Sequence, residues 1–476
     1  MQATENVTGI LADFAARIKY EDLPPEITRE LKRVFLDLCG CALLGYSVDK
    51  GKISVAVAGA LGGQPESTIL GTGKKVSTTN AAFANGELMN ALDYDTISPP
   101  GHTSSFVIPA ALALAERERA SGKSLLTALA IAHEVAIRVA SALPSARSGK
   151  EYSERPGGMG ACTFGAAAGA SKILAFDRES MANALGLAGG LTPLPILTKW
   201  HYSPFNAMFK YSSSGWIAQC GVMGALLTQK GYLGDHTILD GPYGFWNMYG
   251  ADECKWEKMT ADLGQQWEIM RIAYKQYPIA GIHIPSLEAF AQIIETQKLN
   301  PDDIEKVVVK GEPRATYMPS YNVDEFKSHM DVQFNGKYGV AMIAHRVNAT
   351  DWQAEATMND PKIRDFMKKV DVEPFPKFEE SRYREMVTEG QPYIIKRPAF
   401  AEVIAKGQSF TAEVEYPKWG PQTIEKLKVA DSELIQKFKA NASRRLPGSK
   451  SDKAIELIFG LEKLDDISGL MEALSV

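Results

Sequence analysis

The chain has 476 residues, of which 45% are hydrophobic and 23% are charged, and its formal net charge at pH 7 is −5. This length allows two or three domains with a large buried core. The negative balance argues against a protein that binds nucleic acid by neutralising phosphates. It leaves an acidic small molecule open as a ligand, because local lysines can bind a carboxylate whatever the overall charge.

The sequence carries no signal for secretion or membrane insertion. The N-terminus lacks a basic segment followed by an apolar one, and no uninterrupted apolar run reaches about 18 residues. The five cysteines lie mostly in apolar segments and include no Cys-x-x-Cys. This usage is typical of reduced core thiols in a cytoplasmic protein, and it offers no obvious ligand set for an iron–sulfur cluster.

The first half of the chain is predicted to be helical. Apolar residues recur at spacings of three and four, as on one face of an amphipathic helix. A short extended segment is expected at residues 67–70, and residues 145–158, which are polar and contain Gly and Arg, are expected to form a mobile loop. The helices are predicted at residues 8–17, 25–44, 78–92, 125–143, from Gly160 onwards, 177–188 and 210–230.

The pattern changes near Gln266. Beyond it, runs of β-branched or alternating residues predict strands at residues 268–274, 304–310 and 410–416, and helices are predicted at residues 285–297 and 331–345. From about residue 431 the helices at 433–442 and 454–460 are too short to stand alone, so we expect them to pack on the N-terminal helices.

The sequence therefore predicts a mainly α protein with an inserted α+β domain. A large all-helical domain would be built from both chain ends, residues 1–265 and 431–476. Residues 266–430 would form the smaller α+β domain.

Polar residues are concentrated in a loop within residues 90–116. Asp93, Thr96 and His102 fall within ten positions, together with Asp95. The Ser-Pro-Pro-Gly sequence between them cannot be helical, because Pro-Pro lacks amide donors and disfavours helical backbone before it. These residues have the chemistry of a catalytic loop, although such a turn taken alone is more often solvated surface. A divalent metal site is a weaker alternative, since Asp-x-Asp with one distant His is a poor ligand pattern, and we predict no metal.

The residues after this loop include three candidate N-caps, and a helix is predicted to begin near Pro109. The N–H groups at such a helix start favour an anion. Further on, Lys199, Lys210 and Lys275 stand beside aromatic and apolar residues. Each either extends past apolar surface to solvent or is a partly desolvated charge that can bind a carboxylate. His283 precedes a predicted helix and is either a packing residue or a ligand.

Six sequence motifs, in chain order, together resemble the MmgE/PrpD family, which contains 2-methylcitrate dehydratases, cis-aconitate decarboxylases and iminodisuccinate epimerases. Each motif is weakly specific, but six in order cover nearly the full chain. They are Asp-Leu-Pro-Pro at 22–25, Asp-Leu-Cys-Gly at 37–40, the whole of 90–116, Leu-Asp-Gly-Pro-Tyr-Gly-Phe at 239–245, Tyr-Lys-Gln-Tyr-Pro at 274–278, and Asp-Val-Gln-Phe at 331–334 with Tyr338.

The resemblance implies an α+β lid inserted into a helical domain, a homodimer, no cofactor and a site between the domains. By position, Asp93, Thr96 and His102 match the Asp, Thr and His of the family loop, although the loop here is one residue shorter before the His. Lys210 and Lys275 match two lysines of the family site.

The resemblance is less direct at the remaining candidate positions. His283 lies near the position of a His in the lid, and Tyr317 or Tyr321 matches a site tyrosine there. Arg155 stands where dehydratases and decarboxylases of the family usually have the His of a His-Pro pair, which puts the reaction in question.

From this we expect a cofactor-independent lyase acting on a small di- or tricarboxylate, first of all by dehydration. Asp93 or His102 would move the proton, and Lys210 would stabilise the charge that develops. The substrate would be bound by Thr96, Arg155, Lys275, His283 and Tyr317 or Tyr321. The alternatives are decarboxylation of a cis-aconitate-like acid, epimerisation of an iminodisuccinate-like acid, and binding of a carboxylate without catalysis. We expect no nucleic-acid or membrane partner.

Overall fold

The computed structural model describes residues 6–98, 101–143, 158–203, 205–323, 325–389 and 394–476. In this part the chain is mostly helical with some strands. The helices are α1 Val7–Arg17, α2 Pro25–Gly45, α3 Asp49–Leu61, α4 Thr78–Met89, α5 Thr103–Arg117, α6 Gly122–Ser141, α7 Cys162–Ile173, α8 Arg178–Leu191, α9 Leu197–His201, α10 Ser214–Gln229, α11 Phe245–Met248, α12 Glu257–Thr260, α13 Ile284–Gln297, α14 Arg314–Tyr317, α15 His329–Gln333, α16 Gly336–Ala344, α17 Glu355–Met358, α18 Pro361–Met367, α19 Pro376–Arg382, α20 Asp431–Ala442, α21 Gly448–Phe459 and α22 Ser468–Ala473. The strands are β1 Ser67–Thr68, β2 Lys75–Val76, β3 Ile304–Gly311, β4 Val370–Pro374, β5 Ala399–Ala405 and β6 Gln408–Val414.

Helices α4, α6, α7 and α10 all pack against α5, and α7 also packs against α6 and α10. Small residues allow the close approach, because a Cβ on Gly165 of α7 would clash with the carbonyl of Ala132 on α6. Likewise, a Cβ on Gly221 of α10 would clash with Ala166 of α7. The tightly packed helix predicted after Gly160 is therefore present, and burial offsets the low helix propensity of its glycines.

The second half contains a four-stranded sheet with the order β4-β3-β5-β6. Strands β3 and β4 are parallel, whereas β3 with β5 and β5 with β6 are antiparallel. Helix α13 packs on this sheet and contributes Leu287 and Phe290 to an apolar core separate from the large helical one. Every second residue of β5 is buried, as expected for a strand with one face on the core.

The last helices return to the N-terminal part of the chain. Helices α20 and α21 pack against α2, and Phe438 and Ile458 belong to the same apolar core as Phe35. The boundaries at residues 265 and 430 remain a prediction.

Three predicted helix starts are wrong, and two of these errors lie beside the candidate site. The helix predicted from residue 454 is α21, which begins at Gly448. Helix α5 begins at Thr103 with His102 as its N-cap, so that Pro109 lies inside the helix. Helix α10 begins at Ser214, and the Ser213 hydroxyl accepts from the backbone N–H of Trp216. Lys210 consequently lies in a turn, with a left-handed φ of 56°.

The prediction of a strand at residues 268–274 is also wrong. This segment contains a 3₁₀ turn, Glu268–Arg271, followed by a single bridge between Ala273 and Ile97. Its aliphatic residues Ile269 and Ile272 pack into the helical core instead of a sheet, which explains the misleading pattern. The predicted helix at 331–345 is divided by Phe334 and Asn335, with Asn335 capping α16.

Within the described residues, α6 is long and apolar enough to cross a membrane by length and composition. Of its apolar window, 89% is buried inside the fold, where α6 packs against α5 and α7. The helix therefore has the surroundings of a core helix.

Candidate active site

Asp93 lies at the centre of a buried cluster of charges. Its carboxylate accepts hydrogen bonds from Lys210 Nζ at 3.0 Å, from Lys275 Nζ at 2.6 Å and from the Tyr211 hydroxyl at 3.1 Å. Burial alone would raise the pKa of Asp93, but the charges of Lys210, Lys275 and His102 hold it well below its usual value. Asp93 is therefore an ionised carboxylate, and its φ of 54° places its backbone in the left-handed region.

Lys210 and Lys275 hold Asp93 from two sides, and neither side chain has exposed surface. Lys210 Nζ also donates to the Asn90 carbonyl at 2.9 Å, and Lys275 Nζ donates to the Asp93 carbonyl at 2.7 Å. Burial lowers the pKa of Lys210 to about 8, against the opposing attraction of Asp93. One carboxylate shared by two ammonium groups does not fully compensate both.

His102 faces a carboxylate at each ring nitrogen. Its Nδ1 lies 3.1 Å from Asp95 Oδ2, and its Nε2 lies 3.5 Å from Asp93 Oδ1. A carboxylate only accepts, so Nδ1 carries a proton and donates it to Asp95. The ring stacks on Tyr211 at 5.3 Å between centroids. The His102 side chain is 9% exposed, against 0–1% for Asp93, Asp95 and the two lysines.

Asp95 orients the His102 ring from its buried side. It is fully buried, and Asn90 Nδ2 donates to it at 3.2 Å. Burial opposes ionisation, but His102 lowers the pKa of Asp95 to about 2, with smaller contributions from Lys275 and Lys210. The carboxylate therefore fixes both the tautomer and the direction of the imidazole.

Thr96 takes part in a separate chain of hydroxyl groups. His133 Nδ1 lies 2.7 Å from the Leu129 carbonyl, which accepts its proton, so Nε2 accepts from the Ser104 hydroxyl at 3.0 Å. The Thr96 hydroxyl in turn donates to Ser104 at 2.9 Å. Burial lowers the pKa of His133 to about 4, which keeps it neutral. This chain fixes the start of α5 behind His102.

His283 and Tyr321 lie in an aromatic cluster beside the charges. The rings of His283 and Tyr321 meet edge to face at 5.7 Å, and His283 Nε2 donates to the Phe334 carbonyl at 3.0 Å. Burial lowers the pKa of His283 to about 4. The Phe334 ring centroid lies 5.9 Å from Lys210 Nζ, so the two clusters are contiguous. Tyr317 is 45% exposed, and Arg155 lies outside the described residues.

The structure thus brings Asp93, His102, Lys210 and Lys275 into direct contact and places Thr96 and His283 in the surrounding shell. Sequence reasoning did not select Tyr211, although its position next to Lys210 was a usable signal. Asp95 was noted in the loop but was assigned no role. Among the described residues no group of three or more His, Cys, Asp or Glu side chains is arranged to hold a metal ion.

Comparison with known proteins identifies the class to which this fold and cluster belong. Residues 9–257 match the MmgE/PrpD N-terminal domain and residues 277–463 match the MmgE/PrpD C-terminal domain. The chain belongs to the MmgE/PrpD family.

Several named relatives are similar to this chain. The cis-aconitate decarboxylase of Homo sapiens is 24% identical over 482 residues, which cover 98% of this chain and 94% of the human protein. That of Aspergillus terreus is 23% identical over 500 residues, covering 99% and 96%. The cis-aconitate decarboxylase-like protein oryM of Aspergillus oryzae is 27% identical over 319 residues, but that match spans only 62% of this chain and 63% of the relative.

Proposed function

We propose that this protein is a lyase acting on a small di- or tricarboxylate, and that its reaction is the decarboxylation of a cis-aconitate-like acid. The observation that carries the proposal is the His102 ring held between Asp93 and Asp95, with Lys210 and Lys275 behind it. The names of the relatives favour decarboxylation over the dehydration expected first from the sequence.

The chemistry of such a reaction needs one well-placed proton donor. When the bond between a carboxylate and the saturated carbon of the acid breaks, CO₂ leaves and its electron pair forms a new double bond. The electron pair of the old double bond then takes a proton at the carbon next to a remaining carboxylate. In our proposal His102 Nε2 supplies this proton, because Nδ1 is bound by Asp95 and His102 is the most exposed member of the cluster.

In this proposal the two lysines act through their positive charge. In the structure they bind Asp93, so they would meet a substrate carboxylate only after a rearrangement of the loop. Their charges nevertheless lie close to His102 and stabilise the anionic charge that moves through the substrate as CO₂ leaves. Dehydration uses the same proton transfer at a carbon next to a carboxylate, but in the reverse direction, and it is the second candidate.

Product analysis separates these reactions. The protein is incubated with cis-aconitate, citrate and 2-methylcitrate in D₂O, with ultraviolet absorbance, CO₂ release and proton NMR followed together. Decarboxylation gives CO₂ and one deuterium in the product, whereas dehydration of citrate or 2-methylcitrate gives a new conjugated double bond without CO₂. Deuterium in unchanged substrate alone would indicate an epimerase. No change in any of the three acids would refute the lyase proposal.

We further propose that the protein is a homodimer, through an apolar surface formed by α3, residues 193–203 and 205–209, and α10. Ile53, Phe209 and Trp216 are exposed and line one groove there, and Leu194 is exposed as well. Clustered exposed apolar side chains are typical of surfaces that bind another protein. Light scattering should give about twice the mass of the 52.0 kDa chain. Trp216→Glu should shift it to the monomer, and a monomeric wild type would contradict the proposal.

A further inference from the structure

Five consecutive backbone carbonyls in the catalytic loop, those of residues 90–94, each accept a hydrogen bond from a side chain distant in sequence. The donors are Lys210 on Asn90 at 2.9 Å, Gln333 on Ala91 at 2.7 Å, Gln353 on Leu92 at 2.7 Å, Lys275 on Asp93 at 2.7 Å and Lys437 on Tyr94 at 2.9 Å. Helix α4 ends at Met89, so these carbonyls have no following helical turn to bind, apart from a long hydrogen bond of 3.4 Å from the Asp93 N–H to the Asn90 carbonyl. The five side-chain donors take the place of that missing turn.

The backbone of this segment needs such support. Asp93 adopts a left-handed conformation, which a residue other than glycine keeps only where its surroundings hold it. The segment is also buried, and a buried carbonyl without a partner is unfavourable. The orientation of the Asp93 carboxylate between Lys210 and Lys275 therefore depends on the groups that bind its neighbours.

Two of the five donors form a connected pair. Gln333 Nε2 also donates to Gln353 Oε1 at 2.8 Å, and Gln353 Nε2 also donates to the Pro278 carbonyl at 2.9 Å. Both glutamines are buried. They belong to the segment that matches the C-terminal domain of the family, whereas the loop belongs to the N-terminal match. The pair thus joins the two segments at the peptide next to Asp93.

We propose that Gln353, held by Gln333, is a positioning residue for the reaction. By fixing the Leu92 carbonyl, it sets the direction of the Asp93 side chain and, through Asp93, the place of His102 Nε2. Only the kinetic consequence of this role rests on the proposed function. Misplacement of a reacting group by about 1 Å can cost about 100-fold in rate, so loss of the Gln353 amide should reduce turnover rather than substrate binding.

The test uses Gln353→Met, which keeps the length of the side chain but cannot donate, and Gln353→Glu, whose carboxylate only accepts. For both variants kcat should fall by roughly 10- to 100-fold with KM nearly unchanged. Hydrogen exchange at the backbone amides of residues 90–96 should become faster. Asn183→Leu is the matched control, because buried Asn183 also donates from its amide to a backbone carbonyl, that of Tyr232 at 2.6 Å, within a separate cluster.

The control should lose thermal stability and keep wild-type kcat and wild-type exchange at residues 90–96. Wild-type kcat and exchange in folded Gln353→Met would overturn the proposal. If Gln353→Met does not fold, Gln333→Met decides in the same way, because it removes the hydrogen bond to Gln353. If the wild type turns over no carboxylate, the lyase proposal fails, and hydrogen exchange alone then decides whether Gln353 positions the loop.

Discussion

Replacing Asp95 by asparagine removes the charge that holds His102 while keeping the shape of the side chain. The amide can turn its NH₂ group towards His102 Nδ1, which would then have to accept a hydrogen bond, and the ring would change tautomer. Nε2 would then carry the single proton of the neutral ring. The Nδ1 atom, on the opposite side of the ring, would no longer donate to a carboxylate. We expect kcat to fall by about 100- to 10,000-fold, the usual contribution of a general acid or base.

The effect on stability follows from the same contacts. The pKa of Asp95 is lowered from 3.8 to about 2 in the folded protein, where the attraction of His102 outweighs the cost of burial. At about 1.4 kcal/mol per pKa unit, the ionised group contributes about 2.5 kcal/mol to the free energy of unfolding. This contribution is fully present above pH 3.8, the value of the unfolded chain, and is lost as the pH falls to about 2.

Urea unfolding and steady-state kinetics on the same preparations test this reasoning. At pH 7 the free energy of unfolding of Asp95→Asn should be lower than that of the wild type, and the difference should shrink below pH 4. Asp365→Asn is the control, because Asp365 forms an exposed ion pair with Lys368 and should change neither quantity appreciably. Wild-type kcat in Asp95→Asn would refute the assignment of His102 as the group that moves the proton.

Two further predictions concern the other members of the cluster. His102→Ala should lower kcat by about 100- to 10,000-fold and should also lower the melting temperature, because buried Asp95 would lose the partner that stabilises its charge; unchanged turnover would contradict the site. Lys210→Met should lower kcat at least about tenfold and also lower stability, because buried Asp93 would lose one of the two lysines that hold it ionised. Wild-type kcat should decline as the pH rises through about 8, where the Lys210 ammonium loses its proton, and a pH profile that stays flat to pH 10 would contradict this.

The helical part of the fold could be predicted well from the sequence, because amphipathic spacing and caps are local signals. Helix α2 was predicted at residues 25–44, and the structure has Pro25–Gly45. Errors arose where long-range contacts override the local pattern. The β-branched residues at 268–274 pack against helices, and strand β5 is stabilised by its pairing with β3 and β6, which the sequence does not display.

The candidate site could be predicted in its residue types but not in its contacts. Asp93, Thr96 and His102 are close in sequence, and the family motif brought in Lys210 and Lys275. That both lysines bind Asp93 could not be foreseen, because Lys210 reaches it only through a left-handed turn before α10. Roles such as that of Gln353 depend on contacts between residues more than 250 positions apart.

In the proposed reaction the charges of the cluster would give His102 a part in substrate recognition as well as in proton transfer. Asp93 and Asp95 balance Lys210 and Lys275, so the cluster is neutral when the imidazole is neutral. A second proton on the ring leaves one excess positive charge, and it lies on the most exposed side chain of the five. A carboxylate substrate compensates this charge by approaching Nε2. The proton that attracts the substrate is thus the same proton that the proposed reaction transfers to carbon.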